Sequence, residues 1–420
     1  MNQIFSFLVL WLSPIFVFSQ VISPSAQEVS FSYEATFIAE SENIQESAYL
    51  HYSHLFGLMH SSQLIEKFNL NPNKIGGIGA PEGAPDLKIK SRESLGQNQW
   101  KISYSAKGQF LLHHKVAQKL LKQGYVTLNL PLEMGTIYNE RCTDSYYNTP
   151  GDYWYFWNPY SRPCSYLLEL PHTNPVRIAI KETPTRRLEQ NLRLDLLRGA
   201  NDNGSDFLIY VIQGFASDSK DPEDAGRLGF DQLNQLLQRD GFQGQVKANA
   251  KKSAYVEWTK DLVLSNGKSL HVILRSVLVD SDILSSSSQF ARFFKEAVET
   301  ADVIAYLGHS GLGMNLDIPS LEAKAGSFNF NPKKRQIFFF DSCASYSYYL
   351  KPFSQQKTKA KIDIISNGLS SYFHTSPAVL KAFLKKLLDP NLQDISWLEL
   401  LTAMEAPLRG GSYLLNVGGI

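Results

Sequence analysis

Two short apolar runs that each end in a reactive residue are the most constraining feature of this sequence. The run Val303–Leu307 leads to His309, and the run 336–340 leads to Cys343. Continuous apolar runs rich in β-branched and aromatic residues are typical of strands buried on both faces of a parallel sheet. Because reactive groups in such sheets lie at the carboxyl ends of the strands, we expect His309 and Cys343 to lie close together. A cysteine nucleophile and its base require this arrangement.

The alternation of strands and helices around these runs predicts an α/β fold for the C-terminal half. Besides the His and Cys strands, we expect strands at 207–215, 270–279 and 362–366, and helices at 228–240, 288–300, 376–388 and 396–405. The N-terminal half is predicted to be an α+β domain whose order β-α-β-β-α-β matches the ferredoxin-like pattern. Its elements are expected at 29–39, 43–61, 86–94, 99–112, 116–123 and 125–130, with Asn43 as the cap of the first helix.

The run Asn201-Asp202-Asn203-Gly204 is a strong breaker and indicates the main domain boundary. The predicted division is an N-terminal domain at 20–131, an aromatic extension at 132–185, a linker at 186–204 and a C-terminal domain at 205–420. A charged linker helix is expected at 184–199.

The N-terminus predicts export. Residues 4–18 are almost wholly apolar and fit the core of a signal peptide, which we place at 1–19. A retained anchor is the alternative. Nothing after this segment approaches the ~20 apolar residues needed to span a bilayer. The net charge of +1 argues against a nucleic-acid binder that relies on a basic face.

The chain has three cysteines, and their placement fits an oxidising compartment. We expect a disulfide between Cys142 and Cys164 and a free thiol at Cys343. The alternative is three unrelated buried thiols. Residues 139–170, around the expected disulfide, are rich in Tyr, Trp and Phe. These rings fit either a ligand-stacking surface or an extension that packs on the neighbouring domain, and we favour packing.

The blocks 306–311 (YLGHSG) and 340–343 (FDSC) resemble the His and Cys blocks of caspase-like peptidases. Within that group, Asp-Ser-Cys is closest to the metacaspases. The resemblance extends over about 207–388, including the order strand, helix, strand, helix, His strand, Cys strand. It implies a caspase-like domain with a mostly parallel sheet flanked by helices.

The resemblance also implies roles for individual residues. Cys343 would attack a peptide carbonyl, and His309 would activate the thiol and protonate the leaving amine. Backbone amides of Cys343 and of the Ser310-Gly311 turn would hold the oxyanion. Asp341 would line a pocket for Arg or Lys before the scissile bond. Backbone amides and a helix dipole are expected to favour the thiolate. The implied function is an exported cysteine endopeptidase acting on protein or peptide substrates.

The sequence departs from the family pattern in two places. Ser310 directly follows His309 where the family usually has Gly, and the run 344–346 (ASY) replaces the His-Ser-Gly of metacaspases. Tyr346 is therefore expected to narrow the pocket. These departures support an alternative function, a catalytically inactive caspase-like binding protein. A serine hydrolase using Ser310 is disfavoured because the final Gly of a nucleophile elbow is missing.

Two other polar clusters each have a functional and a structural interpretation. The acidic loop 218–224 suggests Ca²⁺ or a basic substrate, or simply a solvated loop. The basic run 333–335 suggests a processing site or a solvated turn. The nine His residues show no metal-ligand spacing with acids or cysteines, so we expect no metal site and no cofactor. The sequence leaves the oligomeric state open.

Overall fold

The computed structural model describes residues 21–134, 137, 140–145, 147–149, 151–183, 189–198, 206–217, 219–249, 252–282, 288–357 and 361–419. The expected signal peptide and the breaker run at 201–204 lie outside these residues. No helix in the described part of the chain combines the length and the apolar character needed to cross a membrane.

The described chain folds into two large sheets with helices packed on them. The strands are β1 (Ala26–Ala39), β2 (Gly79–Pro81), β3 (Asp86–Gly96), β4 (Gln99–His113), β5 (Tyr125–Pro131), β6 (Thr173–Glu182), β7 (Asn191–Arg193), β8 (Asp206–Gly214), β9 (Gln243–Asn249), β10 (Lys252–Val263), β11 (Ser269–Val279), β12 (Val303–Leu307), β13 (Gln336–Asp341), β14 (Ile362–Ser366), β15 (Asp394–Ser396) and β16 (Asn416–Gly418). The helices are α1 (Ile44–His60), α2 (Ser62–Lys67), α3 (His114–Gln123), α4 (Leu194–Leu197), α5 (Ala225–Arg239), α6 (Ser288–Thr300), α7 (Ile318–Ala325), α8 (Lys351–Ser354), α9 (Ser376–Leu387) and α10 (Trp397–Glu405).

The N-terminal sheet is antiparallel and has the order β2-β4-β1-β6-β5, with β3 also paired to β4. The elements predicted for this half are confirmed, including the Asn43 cap, whose side chain accepts a hydrogen bond from the Glu46 amide at 3.3 Å. The finer ferredoxin-like pattern is not reproduced. That pattern places β5 beside β1, whereas here β6 lies between them.

The C-terminal sheet is mixed and has the order β16-β14-β13-β12-β8-β11-β10-β9. Its five central strands, from β14 to β11, are parallel, and the three outer strands pair antiparallel. The strands predicted from the apolar runs are confirmed, since both faces of β12 and β13 are buried. The α/β class of this half is therefore correct. Strands β9 and β10 were not predicted because β9 is largely polar and β10 mixes polar and apolar residues without a continuous apolar run.

Both faces of this sheet are covered. On one face Phe339 packs against Phe383 of α9 at 5.3 Å, in a core shared with α5 and α10. On the other face Phe340 packs against Phe353 at 4.8 Å. This second core includes α6 and α7 and continues without a break into the N-terminal sheet. The two sheets thus share one apolar core.

The expected linker helix at 184–199 is wrong where the structure describes it. Asn191–Arg193 form β7, which pairs antiparallel with β15, and only Leu194–Leu197 are helical. Pairing with a distant strand satisfies the backbone hydrogen bonds of 191–193, so the local helical pattern does not decide their structure. Residues 184–188 and 199 lie outside the described residues.

Candidate active site

His309 and Cys343 occupy matching positions at the carboxyl edge of the C-terminal sheet. Leu307 of β12 pairs directly with Asp341 of β13, and His309 and Cys343 each follow two residues later. Neighbouring strands lie about 4.8 Å apart, so the two loops that carry these residues start side by side. The structure therefore brings the two sequence-predicted residues to one edge.

A backbone carbonyl orients the His309 ring. His309 is exposed, and its Nε2 lies 2.7 Å from the carbonyl oxygen of Ala216. Because a carbonyl can only accept, Nε2 carries the hydrogen, and Nδ1 of the neutral ring is the basic nitrogen. The ring of Phe373 lies edge-on against the imidazole, with 5.0 Å between centroids. The imidazole is thus fixed in both tautomer and orientation.

Asp224 fixes the loop that carries this carbonyl. Its carboxylate accepts hydrogen bonds from the Ala216 and Ser217 amides at 2.9 Å and 2.7 Å, and it also caps α5 through the amides of Gly226 and Arg227. Burial opposes ionisation, but these backbone bonds outweigh it and lower the pKa of Asp224. Residues 219–223 of the acidic loop are exposed, as a solvated loop predicts, whereas Asp224 is buried and its carboxylate accepts from backbone amides.

The turn after His309 has a left-handed backbone. Gly311, Leu312 and Gly313 have φ values of 55°, 53° and 96°. A Cβ on Gly311 would collide with the side chain of Asn315. A non-glycine residue in this conformation, such as Leu312, costs about 1–3 kcal/mol and persists only where its surroundings hold it. Such strain is frequent at functional sites.

The same turn leaves backbone donors available. The hydroxyl of Tyr306 donates to the His309 carbonyl at 2.6 Å, and the hydroxyl of Tyr349 donates to the Ser310 carbonyl at 2.8 Å. The carbonyls are therefore engaged. Within the described residues, the amides of Ser310 and Gly311 donate to no acceptor.

Cys343 is partly exposed and is the one cysteine outside the disulfide. Its thiol points to the carbonyl oxygen of Ser371, 3.8 Å away. Burial raises the pKa of the thiol, the nearby Asp341 adds to the effect, and hydrogen-bonding groups of Ser370 and Ser371 partly offset it. Backbone groups near the sulfur favour the thiolate, as expected, but desolvation outweighs them and the pKa of the thiol stays raised.

The backbone around Cys343 is as unusual as that after His309. Ala344 has φ +49° and is fully buried. A π-helix at Tyr346–Leu350 follows, a rare geometry that is frequent at functional sites. The Ala344 amide donates to the Leu369 carbonyl at 3.2 Å, whereas the Cys343 amide donates to no acceptor among the described residues. The Cys343 amide is therefore available as a donor.

Asp341 is a buried carboxylate with one unused oxygen. The residue is 1% exposed, and its Oδ1 accepts from the Asn367 side chain at 2.8 Å. Its Oδ2 forms no hydrogen bond among the described residues, although the hydroxyls of Ser371 and Ser376 lie nearby. Burial raises the pKa of Asp341, and these neighbours only partly offset the effect. A cation beside Oδ2 would stabilise the charged form.

Tyr346 does not occupy the place expected from the sequence. Its hydroxyl bonds to Glu28 of β1 at 2.8 Å, in the contact between the two sheets. The next residue, Ser347, donates to the Pro81 carbonyl at 2.6 Å. The helical segment after Cys343 is thus tied to the N-terminal sheet.

The loop 367–376, which follows β14, supplies three further contacts to the site. Asn367 binds Asp341, the Ser371 carbonyl accepts from Cys343, and Phe373 packs on His309. The available signal was the third apolar run, 362–366, because its strand ends at the same edge of the sheet.

The aromatic segment reaches the site from the other side. The predicted disulfide between Cys142 and Cys164 is present and ties this segment together. Trp154 and Tyr155 are buried and pack on Phe56 of α1, which confirms the packing interpretation for these rings. Tyr146, another ring of this group, lies outside the described residues.

No protein-family model matches the sequence, and a search of curated proteins yields no significant match. The function must therefore be argued from the chemistry of the site.

Proposed function

We propose that the protein is a cysteine endopeptidase with a His309–Cys343 dyad. One observation carries the proposal: both residues emerge two positions after the directly paired Leu307 and Asp341, at the carboxyl edge of adjacent parallel strands. The left-handed backbone in both loops and the unused amide donors support it.

In the proposed reaction, the Cys343 thiol transfers its proton to Nδ1 of His309, and the sulfur attacks the scissile carbonyl carbon. The C–N bond then breaks, and His309 gives the proton to the leaving amine. Water, deprotonated by Nδ1 of His309, adds to the thioester carbonyl; the C–S bond then breaks, the acid product leaves, and His309 returns the proton to sulfur. The hydrogen bond from Nε2 to the Ala216 carbonyl keeps Nδ1 as the nitrogen that accepts and returns these protons.

The oxyanion of each tetrahedral intermediate would accept hydrogen bonds from the Cys343 amide and from the Ser310 or Gly311 amide. These donors are unengaged in the described structure. Loss of one such donor typically costs about 10²–10³ in rate. Because the donors belong to strained turns, the geometry is set before substrate binds.

Asp341 supports a preference for Arg or Lys before the scissile bond. Its unused Oδ2 lies two residues before Cys343 in a buried setting. A bound guanidinium or ammonium would pair with this oxygen and relieve the cost of a buried, uncompensated carboxylate.

A catalytically inactive binding protein is the second candidate, and two observations favour it. The Cys343 thiol points to the Ser371 carbonyl, and burial raises its pKa. His309 is engaged with Ala216. Catalytic hydrogen bonds are often loose before substrate binds, so this geometry is compatible with the dyad.

Thiol labelling separates these candidates. Purified protein is treated with iodoacetamide beside the variants Cys343→Ala, His309→Ala and His374→Ala; the last removes an exposed histidine of the adjacent loop. We expect modification of Cys343 faster than that of a free thiol, dependent on His309 and indifferent to His374. Slow labelling that is indifferent to His309 would favour the inactive protein.

Export is part of the proposal. The disulfide favours an oxidising compartment. The apolar run at 4–18 supplies the features of a signal peptide. Mass spectrometry of the protein released by its native host would test this, with cleavage near Ser19 as the expected result and a retained N-terminus as the opposing one.

A further inference from the structure

The aromatic segment and the nucleophile loop form one buried cluster. Phe56, Trp154 and Tyr155 of the N-terminal half pack with Ala344, the residue directly after Cys343. Leu312, from the turn after His309, packs against the same cluster. The N-terminal half therefore contacts both loops of the candidate dyad.

Two of the non-glycine residues with positive φ belong to this cluster or pack against it. Leu312 and Ala344 have φ values of 53° and 49°. Their contact with the aromatic rings accounts for a backbone that would otherwise relax. The fit is close, because a Cβ on Gly57 of α1 would lie 2.7 Å or less from the backbones of Trp154 and Trp157.

Tyr155 brings an unused polar atom to this contact. The residue is 1% exposed, and its hydroxyl forms no hydrogen bond among the described residues. The Ser370 hydroxyl, Cys343 and Tyr147 are all close enough to influence its ionisation. The Ser370 hydroxyl also lies beside the Cys343 thiol. Ser370 is therefore near both the phenol and the sulfur.

We propose that Tyr155 is a positioning residue for the nucleophile: its hydroxyl donates to Ser370, which in turn donates to the thiolate of Cys343. The assignment deepens the proposed function and rests on Cys343 being the reactive thiol. A buried hydroxyl without a partner costs stability and calls for an explanation. The thiolate that forms during reaction is an acceptor for the Ser370 hydroxyl, whose oxygen can in turn accept from the hydroxyl of Tyr155, unpaired among the described residues.

Only one proton moves in this arrangement. The thiol proton leaves for Nδ1 of His309, and the new charge stays on sulfur. The Ser370 hydroxyl then turns toward the sulfur, and its oxygen accepts from Tyr155. No proton leaves either hydroxyl. In this arrangement the C-terminal half depends on the N-terminal half for the reactivity of its thiol.

The test is the pH dependence of iodoacetamide alkylation at Cys343 in the full-length protein. Wild type is compared with Tyr155→Phe, Ser370→Ala and the control Tyr153→Phe. Tyr153 belongs to the same short helix and is buried, but its ring packs on His54. We expect Tyr155→Phe to raise the apparent pKa of the thiol and to slow alkylation at neutral pH about three- to tenfold, the effect of one hydrogen bond. Ser370→Ala should do the same, and Tyr153→Phe should leave the profile unchanged.

An unchanged profile in Tyr155→Phe overturns the inference, as does an equal shift in Tyr153→Phe, which would indicate general loosening of the segment. Thermal unfolding checks that each variant folds. If Tyr155→Phe does not fold, the pH profile of Ser370→Ala decides whether the inference holds. Failure of the proposed function looks different, because alkylation would then be slow in wild type and indifferent to His309, while a shift caused by Tyr155→Phe would still be measurable.

Discussion

Strands β12 and β13 carry buried polar groups at both ends, but only one end has them fully paired. At the amino end, Lys334 forms an ion pair with Asp302 at 3.1 Å, with exposed fractions of 3% and 0%. Beside it, Arg335 binds Asp363 at 3.0 Å. Lys333 is exposed, as a solvated turn predicts, whereas Lys334 and Arg335 are engaged in ion pairs.

At the carboxyl end of the same strands, several buried polar atoms lack hydrogen-bond partners in the part of the chain that the structure describes. Buried polar atoms without hydrogen-bond partners among the described residues include Asp341 Oδ2, Ser342 Oγ and Asn367 Oδ1. The strained Leu312 and Ala344 lie at this end as well. Polar groups at the amino end therefore stabilise the fold, whereas those at the carboxyl end lower its stability.

The largest effect is expected at the paired end. Lys334→Met leaves the Asp302 carboxylate buried without its cation, and loss of one partner of a buried pair costs about 3–5 kcal/mol. Urea denaturation measures the loss. Lys333→Met, at the exposed neighbour, should change the free energy of unfolding by less than about 0.5 kcal/mol. Equal losses for both variants would contradict the assigned role of the pair.

The backbone at the unpaired end gives the next effect. Gly311→Ala places a methyl group against Asn315 in a left-handed turn, so the oxyanion donors should shift. We expect peptide hydrolysis to fall about 100-fold. Gly124→Ala is the control, because it also adds a methyl group to a glycine with positive φ, but this Cβ has no atom within 4 Å. If both variants lose activity equally, the turn has no special part in the reaction.

Two buried carboxylates should respond with opposite sign. Asp341→Asn removes an uncompensated charge and should raise stability at neutral pH by about 1 kcal/mol. Burial raises the pKa of Asp363 as well, but Asp363→Asn also leaves the partly buried Arg335 without its carboxylate partner and should lower the free energy of unfolding. Because burial raises the pKa of Asp341, its charge destabilises the fold increasingly as pH rises above the unfolded value of about 3.9. The gain from Asp341→Asn should therefore be small at pH 4 and largest at neutral pH; a gain independent of pH would refute this.

The smallest effect concerns the orientation of His309. Asp224→Asn keeps a capping side chain but weakens its hold on the Ala216 loop, so hydrolysis should fall about threefold and the free energy of unfolding at neutral pH should fall modestly. Ser396→Ala, at the distant cap of α10, is the control and should affect stability only. The pKa of Asp224 is lowered in the fold, so its stabilising contribution is present near neutral pH and is lost as pH falls through that lowered value. Asp224→Asn should flatten the acid side of the stability profile.

Much of the C-terminal sheet could be predicted from the sequence because apolar runs such as Val303–Leu307 carry their own signal of a buried strand. The position of His309 and Cys343 at one edge follows from the parallel arrangement. The disulfide was predicted because Cys142 and Cys164 bracket one short aromatic segment, while Cys343 stands alone at a strand end.

The rest depends on contacts that no local pattern encodes. Pairing of β7 with β15 decides the structure of 191–193, and β6 reaches its place beside β1 only after the aromatic segment. The closeness of Tyr155 to the Cys343 loop joins residues from opposite halves of the chain. The raised pKa of Cys343 results from burial, which a sequence motif does not report.

A reactive peptide tests whether Cys343 is the nucleophile and whether Asp341 sets the preference for Arg. Peptidyl acyloxymethyl ketones that end in Arg or in Glu are incubated with the protein, with His309→Ala and with Asp341→Ala, and the modified residue is identified by mass spectrometry. We expect an adduct on Cys343 that forms at least about tenfold faster with Arg and depends on His309, and Asp341→Ala should remove the preference for Arg. An absence of adduct on Cys343, or equal rates in wild type and His309→Ala, would contradict it.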